Sequence, residues 1–323
     1  MKQEQFFKRI EQEMAERFPE YDVTLRELNK SNCISHSLMV RNPELEYCPS
    51  IKLDSFWDQY RNSENPDLAM TQVLSQMFQI VENAYIDAEQ VGIAQKARDA
   101  IVNWKEHVQC SLVMKDGNEA FLADKPHKEF LDMAKIYSIR MDDLLEGSTS
   151  RITITNDQLN SMGCTLDELD AIAMSNTIRQ DPASVQNITS ILSKMMGITD
   201  EELTAELGEA TFPMYVVSNE SKQYGAAVIM YKDVMDQVCD ILGTEKFFIL
   251  PSSRHEVICI PESAGRDVES LREMVHQVNA TEVPAEDILS ESVYQYVKGQ
   301  DIEICGSELM EEEVPEEAPV LSM

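Results

Sequence analysis

The amino-acid sequence predicts an α+β protein, and three observations carry that prediction. Apolar residues in the first turns recur at helical spacing, several short runs further on alternate apolar and polar, and the last third interleaves both patterns. The 323 residues are 43% hydrophobic and 26% charged, a globular mix long enough for about two domains with a sizeable core. No apolar run approaches the ~18 residues of a membrane helix. The opening MKQEQFFKRI also lacks the apolar centre of a signal peptide.

The elements follow in order. Phe6, Phe7, Ile10, Met14 and Phe18 form the apolar stripe of a first helix, with Lys8, Arg9, Glu11, Glu13 and Arg17 facing water. YDVTLRELNK, CISHSLMVR and CPSIKLD read as three short strands that pair into a small antiparallel sheet. Asn65-Pro66 supplies an N-cap and a first-turn proline for a helix through about Tyr85, with Met70, Val73, Met77 and Val81 inward. A helix from Ala94 presents Ala97, Ile101, Trp104 and Val108. CSLVMK and RITIT alternate as strands, whereas LDMAKIYSIR fits both periods.

Residues 156–210 read as helical, with two matching starts 34 positions apart. Thr165 with Glu168, and Thr199 with Glu202, each have capping-box spacing, and each follows a glycine suited to ending the previous helix. Recurrent capping is the better reading than a repeat fold, because solenoids need at least three copies. The last third reads β-β-α-β-β-α-β: MYVVSN and GAAVIMY as strands, KDVMDQVCDILG as a helix, KFFIL and EVICIP as a hairpin, then a helix over Ser270–Val278. SVYQYVK and DIEIC close it as edge strands. The expected organisation is an N-terminal α+β region over 1–145, a mainly helical segment over 146–212, an α+β unit over 213–305 and a disordered acidic tail over 306–323.

Cysteine and glycine spacing exclude familiar chemistries. Seven cysteines, an odd number with no close pair, fit reduced thiols of a cytoplasmic protein. Cys33-x-x-His36 with Cys48 is the nearest approach to a metal motif, but positions three apart on a strand face opposite sides. No metal and no cofactor are therefore expected. No two glycines lie two or five apart, so neither a dinucleotide fingerprint nor a P-loop can be drawn. H-E-x-x-H and G-x-S-x-G are also absent, which points away from a known enzyme class.

The richest polar cluster is Ser252, Ser253, Arg254, His255 and Glu256 in the hairpin connection. As a hydroxyl, an imidazole and a carboxylate, it could serve a hydrolase. As Pro251 followed by self-bonding serines, it is a turn. With Asn279 and Thr281 it could instead form a ligand or partner groove. His127 sits in a short basic island, KPHKE, read as a solvated helix start, and Asp142-Asp143 with Glu146 reads as a solvated acidic patch.

Several motifs resemble a known family. CPSIKLDSFWDQY, KPHKEFLDMAKIYSI, YGAAVIMYKDV, ILPSSRHEVICIP and MVHQVNATEVPAEDILS occur in the same order as in an uncharacterised family common in gut Firmicutes. They span roughly residues 1–300. The resemblance implies a bacterial, cytoplasmic setting and one mixed α and β architecture, and carries over no catalytic residue.

Fifty-eight acidic against 27 basic residues leave a net charge of −31, which argues against direct nucleic-acid binding. Residues 1–142 hold −7 of it and residues 143–323 hold −24, of which the tail supplies −6. The second half is therefore the expected surface for a basic protein partner. The leading expectation is a non-enzymatic interaction or regulatory protein, with SVYQYVK as a strand open to partner addition. The alternatives are a hydrolase or ligand-binding enzyme built on Ser252–Glu256, and an acidic mimic of nucleic acid that inhibits a basic partner.

Overall fold

A computed structural model describes residues 1–45, 48–142, 149–207 and 213–306, with backbone alone at 86–91, 93 and 149. The expected boundary at 145–146, the end of the helical segment at 212, Asp143 and Glu146 of the acidic patch, and the tail from 307 lie outside the described residues. Three antiparallel sheets organise the rest, and the α+β prediction holds.

The first sheet pairs β1 (Asp22–Lys30), β2 (Cys33–Arg41) and β3 (Ser50–Lys52) in that order. Helix α1 (Gln3–Arg17) buries Phe6, Phe7, Ile10 and Met14 against it, as the periodicity predicts. Helices α2 (Asp54–Arg61) and α3 (Pro66–Val91) close the same core with Tyr60, Met70, Val73 and Met77. The α3 start is the predicted one: Asn65 Oδ1 accepts from the Leu68 N–H at 3.2 Å.

The helix expected from Ala94 divides. Helix α4 (Ile93–Val102) ends before a separate turn α5 (Trp104–His107), and Val108 opens strand β4 (Val108–Met114). After α6 (Glu119–Leu122) come β5 (His127–Phe130), β6 (Met133–Asp142) and β7 (Thr149–Thr153). LDMAKIYSIR thus resolves as a strand, with β4 on one edge of β6 and β5 then β7 along the other. One face of this second sheet is apolar: Cys110, Tyr137 and Ile139 pack on Leu169 and Ala173 of α8 (Leu166–Gln180), which follows α7 (Asn156–Met162). The opposite face carries Gln109, Ser111 and Ser138, all at most 4% exposed. A polar face that is nonetheless covered needs an explanation.

The third sheet runs β13-β12-β10-β11-β9-β8. Its strands are β8 (Ala183–Asn187), β9 (Tyr215–Asn219), β10 (Lys246–Ser253), β11 (Glu256–Pro261), β12 (Tyr294–Val297) and β13 (Glu303–Ile304). Helices α9 (Ile188–Met196) and α10 (Asp200–Leu207) follow β8, α11 (Lys232–Leu242) precedes β10, and α12 (Val268–Thr281) follows β11. The unbroken apolar run in β10 reflects burial on both faces: Phe247 and Ile249 meet α11 residues, while Phe248 and Leu250 meet Leu271 and Val275 of α12.

Three expectations are corrected. GAAVIMY is not a strand but a 3₁₀ helix over Gly225–Met230, entered through Tyr224 in the left-handed conformation (φ 57°). Its Ala226 to Ile229 are all buried, so the run has no polar alternation to reveal its period. ASVQN, read as helical, is strand β8: the residue before Pro182 disfavours helix, and pairing with β9 sets the conformation beyond it. SVYQYVK is an edge over only part of its strand, because β13 pairs with Tyr294 and Gln295 and leaves Tyr296 and Val297 beyond it. The two helix starts, by contrast, form their capping boxes identically: the Thr165 and Thr199 N–H groups donate to Glu168 and Glu202 at 2.8 Å, and the threonine hydroxyls accept in return at 3.2 Å.

Helix α8 is tied to β5 and β6 through Asp170, whose oxygens take Lys128 Nζ (2.9 Å), Lys135 Nζ (2.5 Å) and the Tyr137 hydroxyl (3.0 Å). Burial alone would raise the Asp170 carboxyl, but hydrogen bonds from Lys135 and Lys128 outweigh it and hold the pKa below the ordinary value. A depressed carboxylate pKa contributes stability that is present above about pH 4 and is lost as the pH falls through and below that range. Asp170→Asn should therefore lower stability at pH 7 by about 2 kcal/mol and flatten the acid limb of the pH–stability curve. Urea unfolding between pH 3 and 7 checks it, and an unchanged acid limb contradicts it.

Candidate anion-binding cavity

The covered polar face of the second sheet is the wall of a cavity, and the first sheet forms its cover. A two-residue turn, Ser31-Asn32, joins the paired Lys30 and Cys33 at the β1–β2 end. Asn32 is left-handed (φ 61°), a conformation asparagine tolerates in such turns. Its backbone N–H donates to Asn118 Oδ1 at 2.6 Å, and Asn118 Nδ2 donates back to Asn32 Oδ1 at 2.6 Å. Asn32 Nδ2 donates to the carbonyls of Ala285 (2.9 Å) and Ile288 (2.6 Å). One turn thus fastens the first sheet to the start of α6 and to the 3₁₀ turn Ala285–Asp287 before β12.

This places the ends of β1 and β3, with Lys30, Ser31 and Lys52, over Ser111, Ser138, Arg151 and Thr153 of the second sheet. Tyr224 and Arg254 complete the enclosure from the third sheet's side. The cavity between them measures about 370 Å³, within the range of small-molecule sites. Strand register explains the wall. Ser138 lies opposite Thr153 and Arg140 opposite Arg151, so hydroxyls and guanidiniums share one face while Tyr137 and Ile139 point into the core.

The electrostatics are unusual for so acidic a chain. Four of its 27 basic residues line this cavity, against one carboxylate, Glu286. Glu286 is already held by Lys52 at 3.1 Å. Arg254 Nη2 lies 2.7 Å from Asp287 Oδ1. Arg151 has no carboxylate partner among the described residues, and its one polar contact is Nη1 to Ser138 Oγ at a long 3.5 Å. The Nε atoms of both Arg151 and Arg254 are buried and unpartnered. Burial, then the nearby Arg140 charge, pulls the Arg151 pKa below its ordinary value. Its nearest compensation is aromatic, Arg151 Cζ lying 4.8 Å and Arg254 Cζ 5.1 Å from the centre of the Tyr224 ring, with the more distant Asp181 and Asp142 carboxylates adding to it.

The hairpin residues singled out in the sequence separate in space. Strands β10 and β11 run closer than expected, leaving Arg254-His255 as the turn. Arg254 lines the cavity. His255 stands behind Tyr224, its Nδ1 accepting the Tyr224 N–H at 3.2 Å and its Nε2 lying 3.4 Å from Asp287 Oδ1. Ser253 Oγ accepts from the His255 N–H at 3.0 Å. Ser252 Oγ donates to the Glu256 carbonyl at 3.0 Å and lines a smaller apolar cavity of about 170 Å³. Asn279 is buried on α12, where Nδ2 donates to the Ser290 carbonyl at 3.0 Å, and Thr281 bonds its own helix.

The remaining candidates lie elsewhere. His127 contacts the Lys125 carbonyl at 2.9 Å and starts strand β5, not a helix, because its pairing with Ile136 of β6 sets the backbone. His36 Nδ1 lies 3.0 Å from Asp54 Oδ1. Burial would raise the Asp54 carboxyl, but hydrogen bonds from His36 and Ser35 hold it below the ordinary value. Among the described residues no three His, Cys, Asp or Glu side chains gather to hold a metal ion, and no helix is long and apolar enough to cross a membrane.

Sequence reasoning found Arg254 and missed Lys30, Lys52, Ser111, Ser138, Arg151, Thr153 and Tyr224. A signal was present. Ser111, Ser138 with Arg140, and Arg151 with Thr153 occupy alternate strand positions whose immediate neighbours Cys110, Leu112, Tyr137, Ile139 and Ile152 are apolar. Such alternation reads as a face turned to water, and only the overlying first sheet converts it into a cavity wall.

Fold and site together define an α+β protein with a cation-lined cavity where three antiparallel sheets meet. The chain belongs to a family of unknown function, DUF5688, whose profile matches residues 3–298. Comparison with curated proteins and with solved structures gives no match.

An unpaired buried charge costs stability, so removing it should help the empty protein. Arg151→Met should raise unfolding stability by roughly 1–3 kcal/mol in buffer free of multivalent anions. Urea denaturation checks it, and a loss of more than about 1 kcal/mol would show that the guanidinium is already satisfied.

Proposed function

We propose that this protein binds a small anionic ligand in the cavity between its sheets and acts as a ligand-responsive interaction or regulatory protein. The observation that carries the reading is Arg151. Burying a guanidinium costs several kcal/mol unless an anion meets it. With 58 acidic residues in the chain, a partner for a purely structural arginine was abundant. Among the described residues open space lined by hydroxyls stands there instead, so the missing negative charge is assigned to a ligand.

Binding is favoured over catalysis by the hairpin. Neither Ser252 nor Ser253 hydrogen-bonds the His255 ring, and both ring nitrogens already face partners, the Tyr224 N–H and Asp287. That arrangement positions Tyr224 and leaves no serine activated. A regulatory role fits because Lys30 and Lys52 come from the first sheet while Arg151 and Arg254 come from the other two. A ligand contacting all of them would stiffen the junction. Seven free cysteines suit a reducing cytoplasm, and the acidic second half suits a basic protein partner.

Thermal unfolding in anion-free buffer, with inorganic phosphate, sulfate or citrate added in turn, tests the proposal. At one hundred times Kd a ligand stabilises by about 2.7 kcal/mol, which should appear as a rise of several degrees in Tm. The rise should vanish in Arg151→Met and shrink in Arg254→Gln. No response to any of the three anions, or an equal response in Arg151→Met, contradicts it.

A further inference from the structure

The anion-binding reading leaves the ligand's class open, and the rest of the cavity wall narrows it. We propose that the ligand is a sugar phosphate. Its phosphate would sit at Arg151 and Arg254, and its hydroxyls would face Ser111, Ser138 and Thr153. This inference rests on the anion-binding reading.

Apart from Arg151, the polar groups on the wall opposite the lysines are uncharged. Register puts Ser138 and Thr153 side by side, with Cβ atoms ~5 Å apart, and Ser111 on the diagonal at ~7–8 Å. Among the described residues the Ser111 and Thr153 hydroxyls make no hydrogen bond to protein, and Ser138 only receives the long Arg151 contact. Each can both donate and accept, which matches alcohol groups spaced along a sugar and adds nothing for a second anion.

Glu286 points the same way. A polyanion would be repelled by a carboxylate in the lining, whereas a sugar hydroxyl can donate to it. Glu286 meets the Lys52 charge and Asp287 the Arg254 charge. Among the lining cations Arg151 and Lys30 thus carry the unmatched charge, a surplus suited to a single phosphate that Arg254 can still hydrogen-bond. Val113, Phe121 and Ile136 supply apolar surface for the carbon face of a sugar ring. A nucleobase would need an open aromatic face. Both guanidiniums lie over the Tyr224 ring, and Lys125 Nζ lies 4.3 Å from the centre of the Phe121 ring. The volume of about 370 Å³ also exceeds what a bare tetrahedral anion would fill.

Isothermal titration of the full chain with glucose 6-phosphate, ribose 5-phosphate, inorganic phosphate, glucose and adenosine 5′-monophosphate tests the proposal. At least one sugar phosphate should bind tenfold or more tightly than inorganic phosphate. The Ser138→Ala/Thr153→Val double variant should lose about tenfold of that affinity while holding inorganic phosphate within about twofold. Arg151→Met should abolish both. The sugar-phosphate assignment fails, with anion binding intact, if phosphate binds through Arg151 but neither sugar phosphate gains over it. It fails equally if the double variant weakens both ligands alike, or if the nucleotide binds tighter than either sugar phosphate. If no phosphate compound binds, both readings fall together. Unfolding midpoints of each variant distinguish lost binding from lost fold, and Ser111→Ala serves as the second variant if the double one does not fold.

Discussion

A half-buried guanidinium, its Nε buried and with no carboxylate in contact among the described residues, sets the terms for the centre of this molecule. Arg151 enters from a strand whose register leaves no choice of face, because Ile152 and Ile154 must reach the core on the other side. Its nearest compensation is the Tyr224 ring, and that ring is placed at a cost. Tyr224 adopts a left-handed backbone, and the next residue passes so close to β9 that a Cβ on Gly225 would lie 2.2 Å from Ser218 Oγ and 2.6 Å from the His255 carbonyl oxygen. The His255 imidazole accepting the Tyr224 N–H, and Ser218 Oγ donating to the His255 carbonyl at 2.7 Å, lock the strained segment in place. Strain concentrated around one open cavity is the pattern expected of a binding site.

The cavity exists only because three separate sheets converge. Asn32 and Asn118 clasp the first sheet to the second, and the Arg254 N–H donates to the Asp287 carbonyl at 2.8 Å, joining the β10–β11 turn to the same 3₁₀ turn that Asn32 holds. Asp132, just before β6, takes the Ser290 hydroxyl at 2.8 Å and the Tyr294 hydroxyl at 2.5 Å, binding the second sheet to the third. Each clasp is a polar group satisfied across an interface, so each contributes orientation as well as energy. Loosening any of them would shift the cationic side chains of the cavity relative to one another.

How much of this could be read from the chain alone follows from the range of the forces involved. Capping at Thr165 and Thr199, the proline start at Pro66 and the stripe of α1 depend on residues within a turn or two, and all were legible. The 3₁₀ helix at Gly225 and strand β8 depend on distant partners, and both were misread. The site divides the same way. Arg254 stood out because polar residues crowd one turn, but Lys30, Arg151 and Tyr224 meet only through tertiary contacts. Serines and a threonine at alternate strand positions look like a solvated face until another sheet covers them. What distinguishes this face is that its polar groups are buried yet left open to a void.

The central claim is that the Arg151 guanidinium lacks an anion in the empty protein and acquires one in the cavity. Proton–nitrogen NMR of the arginine Nε–H groups reads that state directly, with Arg151→Met assigning the resonance. On titration with inorganic phosphate, the Arg151 Nε–H signal should move and its exchange with water should slow in step with saturation, followed by Arg254. A titration that perturbs exposed arginines such as Arg9 and Arg61 while the Arg151 signal stays fixed would contradict the account.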